Sequence, residues 1–166
     1  MVVAIDVGYG TDSAKAVGVL FDWAAEENHK IIIENIEGIE DYIPGSFYLR
    51  ELPCIMALLK LVDITTINTI IIDGYVYVDD AHTYGLGAKL WEALGGKVEV
   101  IGAAKTRYHH VSKSVAEVFR GESKNPLFVS AIGCNLEQAA LKIQNMQGQH
   151  RIPTLLKKAD SLTRSD

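Results

Sequence analysis

Two aspartates each close a short apolar run and each is soon followed by glycine: Asp6 in VVAIDVG and Asp73 in INTIIIDG. If the two runs are neighbouring strands, both carboxylates sit at one edge of a sheet, where they repel and raise each other's pKa unless a cation lies between them. An all-oxygen pair of this kind suits a hard divalent metal, magnesium above all when a phosphate oxygen completes the shell. A third acid, Glu51, stands at the start of a helical stretch after YIPG. Lys105 ends VEVIGAAK and would project from the same edge, where an ammonium could stabilise charge developing on a transferring phosphate.

The elements that must position these groups can be read from apolar spacing. VVAIDVG, AKAVGVLFDWAA and KIIIENIEGI, separated by short turns, predict three strands in an antiparallel meander. The spacing from Phe47 to Val62 predicts a helix, with Pro53 tolerated only near its first turn. INTIIIDG and KVEVIGAAK read as buried strands around a helix, HTYGLGAKLWEALGG, that ends at Gly95–Gly96. PLFVSAIG is a further strand and NLEQAALKIQNMQG a further helix. The sum is an α/β fold: a mixed sheet, three antiparallel strands then parallel ones, with helices on both faces. Right-handed crossovers then bring the first strand beside the fourth, and Asp6 beside Asp73.

At 166 residues the chain is expected to form one domain, 1–166, without repeats or linkers. No run approaches 18 apolar residues, and MVVAIDVGYG has neither the basic region nor the cleavage-like site of a signal peptide, so a cytoplasmic protein with no membrane partner is expected. Cys54 and Cys134 fit neither a disulfide framework nor a metal motif. The net charge of −5 divides unevenly, −10 over residues 1–100 and +5 over 101–166, as a cation-binding centre beside a phosphate-binding face would require; ordinary solvated charge gives the same asymmetry.

AIDVGY, YIPGSFYLRE, IIIDGYVYVDDAHTYGLG, GAAKTR, PLFVS and RIP, in this order from Asp6 to Pro153, resemble the motifs of endonuclease V. That resemblance implies an RNase H-like fold and a Mg2+- or Mn2+-dependent endonuclease cutting near a deaminated purine, deoxyinosine in DNA or inosine in RNA. It makes Asp6, Asp73 and Glu51 the metal and active-site acids and Lys105 the active-site lysine. Tyr42 becomes the wedge that fills the stack, Pro44 stiffens the turn, and Gly45 lets backbone approach the extruded base. Gly45, Phe47, Gly74, His82, Gly87 and Tyr108 fall where the family builds its base pocket; without the resemblance, Gly85 and Gly87 read as helix packing or a turn and His82 as a helix-start residue.

The chain also departs from the family pattern. His82 is followed by Thr83 and Tyr84 instead of Pro-Arg, and the loop from Asp73 to His82 is longer and carries Asp79 and Asp80, which could repel phosphate. The family's histidine after the VS strand is unmatched: Ile132, Gly133 or Cys134 stands there, and His109 and His110 are the candidates to replace it in space. A module that binds the modified strand without cutting it is therefore the alternative. AIDVGYGTDSAKA is similar, too, to the first phosphate loop of sugar-kinase and actin-like ATPases, but those need a second lobe that 166 residues do not supply.

Overall fold

A computed structural model describes residues 1–39 and 48–165. Seven strands form one sheet in the order β3-β2-β1-β4-β5-β7-β6. β1 (Val2–Tyr9), β2 (Ser13–Asp22) and β3 (Ala25–Glu37) make the expected antiparallel meander. β4 (Thr69–Ile72) and β5 (Glu99–Ala104) then add in parallel to β1. This is the expected RNase H-like arrangement. The parallel run stops at β5: β7 (Leu127–Ile132) lies antiparallel to it, with the three-residue β6 (Ala116–Val118) on its outer side. The PLFVSAIG strand therefore enters the sheet in the opposite direction to a parallel strand, because its connection from β5 returns through β6 instead of crossing over a face.

Alternation sorts β1 between two cores. Val3 and Ile5 pack beneath α1 (Tyr48–Leu59) and α2 (Leu86–Ala93), whereas Val2 and Ala4 pack beneath α3 (Leu136–Gln144) and α4 (Thr154–Thr163). Helices thus cover both faces, and every residue of the central strand β4 is buried, which is why TIII is a continuous apolar run capped by one threonine. α1 presents Cys54, Ile55, Leu58 and Leu59 to the sheet. Pro53 lies inside α1, one turn deeper than its chemistry favours, so the Leu49 carbonyl has no helical N–H from that position.

A fourth helix, α4, lies beyond those that the apolar spacing predicts. Pro153 precedes its first residue, and Leu155 and Ala159 are buried against the sheet. Close approach of α4 to β1 depends on Gly8: a Cβ there would lie 2.8 Å from Thr163 Cβ and 2.9 Å from the Thr163 carbonyl oxygen.

Candidate active site

The strand register makes the site. Ile5 pairs with Ile72 and Ile72 with Gly102, so Asp6, Asp73 and Lys105 leave three adjacent parallel strands at one edge of the sheet. Lys105 Nζ stands 3.5 Å from Asp73 Oδ2, and the Lys105 carbonyl is fixed from behind by Arg151, whose Nη2 donates to it at 2.5 Å and to the Pro126 carbonyl at 2.8 Å. This accounts for the RIP motif as a brace for the lysine. Glu51, in the first turn of α1, lines the same cleft as Asp6, Asp73 and Lys105.

A fourth carboxylate joins them. Asp160 of α4 is 7% exposed, and its oxygens lie 2.9 Å from Arg164, 3.7 Å from Lys157 and 3.9 Å from Lys105. Ile132, Gly133 and Cys134, which stand where the family histidine is unmatched, lie elsewhere, because antiparallel β7 carries that segment to the far end of the sheet, where Ile132 pairs with Val100. His109 and His110 are both exposed, and His110 sets its ring against Tyr108, with 5.1 Å between centroids.

Asp6, Glu51 and Asp73 crowd together beside Lys105, while Lys157 and Arg164 pair with Asp160. Burial, and then the charge of Asp73, push Asp6 up to about 7, against the pull of the Val7 N–H that donates to its Oδ1. Burial, followed by Asp6 and Asp73, pushes Glu51 up to about 8. Among the described residues no three acid, histidine or cysteine side chains are gathered tightly enough to form a finished metal cage. The donor set nevertheless fits a hard divalent cation, since its donors are oxygens and two of them, Asp6 and Glu51, resist ionising until positive charge is supplied.

This electrostatic frustration has a measurable sign. Raised carboxylate pKa values mean that the folded protein holds protons that the unfolded chain has released. Metal-free protein is therefore expected to lose stability as pH rises from the ordinary carboxylate range through about 7 and 8, flattening above. Thermal unfolding across pH 4–9 in EDTA checks this, and a saturating divalent cation should remove the slope; a metal-free stability that climbs over that window would contradict it.

Two hollows meet at the acids. A polar cleft of about 810 Å³ runs past Asp6, Asp160, Lys15 and Arg164, and a mostly apolar hollow of about 460 Å³ opens on the other side, between the β4–α2 and β5–β6 loops. Glu51, Asp73 and Lys105 line both. Gly74 and Tyr108 stand in the wall of the apolar hollow, together with Tyr75, Val78 and Leu86. Gly74 has a φ of +153°, and its carbonyl would lie 2.3 Å from a Cβ at residue 102, so Gly102 is what lets this loop cross β5. Ser130, the serine of PLFVS, accepts the Val76 N–H at 3.0 Å and holds the loop from below.

Two other expected pocket residues lie elsewhere. Gly87 is in α2 against Val76, where a Cβ would come within 2.8 Å of Val76 Cγ2, so its smallness serves packing. His82 is exposed, stacked on Tyr77 with 4.2 Å between centroids. Tyr42, Pro44, Gly45 and Phe47 lie outside the described residues.

A family model described as Endonuclease V matches residues 1–161. The chain belongs to the endonuclease V family. Membership makes it a member of a nuclease family that cleaves phosphodiester bonds. Solved endonuclease V structures share its fold. The Streptomyces avermitilis enzyme is 24% identical with a TM-score of 0.76, over 98% of this chain and 79% of that one. Ciona intestinalis endonuclease V, in complex with a 24mer DNA containing an inosine followed by a ribo-adenosine, is 18% identical with a TM-score of 0.81, over 98% of this chain and 84% of that one. The human enzyme is 17% identical with a TM-score of 0.76, over 98% and 82%. No described helix of this endonuclease V chain is long and apolar enough to cross a membrane.

Proposed function

We propose that this endonuclease V chain hydrolyses a phosphodiester bond near a deaminated purine, deoxyinosine in DNA or inosine in RNA, leaving a 5′-phosphate and a 3′-hydroxyl. The observation that carries the proposal is the meeting of Asp6, Asp73, Glu51 and Lys105 on the floor between an apolar hollow and a polar cleft. A flat aromatic base fits the first and a charged strand the second, so the acids would face the bond between them.

Asp6, Asp73 and Glu51, with Asp160 beside them, would hold Mg2+ or Mn2+. Such an ion supplies a more acidic water and neutralises charge on the phosphate. The protein's own contribution is positional. Lys105, pinned by Arg151 from behind and flanked by Asp73 and Asp160, offers its ammonium to the phosphate oxygens. Tyr42 would fill the stack left by the extruded base, Pro44 would stiffen the turn, Gly45 would let backbone approach the base and Phe47 would border it. Tyr108 and the Gly74 backbone would border the base, and selectivity would arise because a close wall leaves no room for guanine's 2-amino group.

The test is cleavage of a labelled strand containing one inosine or deoxyinosine after EDTA treatment and readdition of Mg2+ or Mn2+, comparing wild type with Asp73→Ala. The expected result is a cut near the modified base that requires the metal and falls by about a thousandfold or more in the variant. A cut that survives EDTA or the Asp73→Ala change contradicts the proposal, and inosine-selective binding without a cut replaces it with the strand-binding module.

A further inference from the structure

The loop between β4 and α2 carries Asp79 and Asp80 next to a face that should attract phosphate, where solvated carboxylates would be a liability. Both are turned to other work. Asp79 Oδ1 accepts the N–H groups of Ala81 and Thr83, each at 3.0 Å, and closes its own turn. Asp80 reaches across to the β5–β6 loop: its Oδ1 accepts the N–H groups of Ser112 and Lys113 at 2.9 Å and of Ser114 at 3.3 Å, and its Oδ2 accepts the Ser112 hydroxyl at 3.1 Å. Three successive backbone N–H groups form a nest for an anion, and the protein fills that nest with its own carboxylate. His82 adds a second tie, with Nε2 2.9 Å from Ser114 Oγ.

These ties join the same two loops that wall the apolar hollow. Nearer the acids the loops are joined again, by the Tyr75 hydroxyl, which donates to the Thr106 carbonyl at 2.7 Å and accepts the Tyr108 N–H at 3.0 Å. Exclusion of a 2-amino group works only if the wall cannot retreat from it, so the spacing of the two loops sets how strictly the hollow discriminates. We propose that Asp80 is a clasp that fixes this spacing and thereby acts as a specificity-determining, positioning residue for the hollow. This rests on the reading of the hollow as a purine site.

The test is binding of labelled single strands that differ only in one inosine or guanosine, with Ca2+ as the hard cation, together with amide exchange at residues 112–114. Asp80→Ala is expected to speed exchange there and to reduce the inosine-over-guanosine preference about five- to tenfold, mainly by improving guanosine binding. Asp80→Asn, whose carbonyl oxygen can still accept the N–H groups, should retain most of the preference. Faster exchange with an unchanged preference would reduce Asp80 to a structural role and overturn the proposal. A wild type that binds both strands equally would overturn it together with the purine site, whereas a wild type that discriminates but never cuts removes only the nuclease reading.

Discussion

Asp160→Ala is expected to reduce cleavage by about a hundredfold or more while the protein stays folded. The carboxylate is almost completely buried beside Lys105 and supplies part of the charge that raises Asp6. Its loss removes an oxygen donor from the acid cluster and frees the lysine from one of its two acidic neighbours. Stability should change less than activity. The Lys157 and Arg164 side chains are exposed, so water solvates their charges once Asp160 is gone and no unpaired buried cation is left behind. Removing Asp160 also relieves repulsion on Asp6. Lys158→Ala, an exposed change on the same helix whose ammonium meets His29 and does not line the cleft, is the control and should alter neither rate nor folding strongly. Single-turnover cleavage beside a thermal unfolding scan separates these outcomes, and an Asp160→Ala protein that cuts at the wild-type rate would remove Asp160 from the site.

The largest stability effect is expected at Arg120. It is 5% exposed and donates to five backbone carbonyls: Met146 at 2.6 Å, His150 at 2.7 Å, Gly148 at 3.1 Å, Gln144 at 3.3 Å and Arg151 at 3.4 Å. The segment between α3 and α4 is irregular, so its carbonyls have no helix or sheet to satisfy them, and one guanidinium gathers them. Buried Glu26 takes the Gln147 N–H of the same segment at 3.0 Å. Arg120→Ala would strand several of these carbonyls and leave the charge of Glu26 less compensated, at a cost of about 3–5 kcal/mol. Arg120→Lys should recover only a minor part, because an ammonium cannot span the set. Urea denaturation measures the difference, and a loss below about 1 kcal/mol would contradict this account. Since the segment also leads into α4, the destabilised protein should lose the placement of Asp160 and of Arg151 behind Lys105.

Much of this architecture is legible in the sequence because it is local or periodic. The runs ending at Asp6 and Asp73 declare two buried strands, and the handedness of crossovers places them side by side, as the Ile5–Ile72 register bears out. Lys105 follows from the same argument one strand further on. Other parts depend on chain direction and long-range contact. A six-residue apolar strand reads the same in either direction, so nothing in PLFVSAIG announced that β7 would run antiparallel and carry Ile132 away from the acids. Asp160 does have a signal in the sequence: Leu155, Leu156, Ala159 and Leu162 recur at helical spacing directly after Pro153, with the aspartate on the flank of that stripe. Asp80 reads as a repulsive surface acid because its partners, residues 112–114, are more than thirty positions away and bind it chiefly through backbone, which leaves little trace in side-chain pattern. Gly87 illustrates the converse, a motif glycine explained by the Cα of Val76 lying 2.9 Å from where its Cβ would be.

The most direct measurement is single-turnover cleavage of two strands, in DNA and in RNA, identical except for inosine or guanosine at one position, with Mg2+ or Mn2+ present. The expected result is a cut near the inosine, with a 5′-phosphate on the released fragment, and little or none in the guanosine strand. Equal cutting of both strands, or a cut at a site unrelated to the inosine, would contradict it.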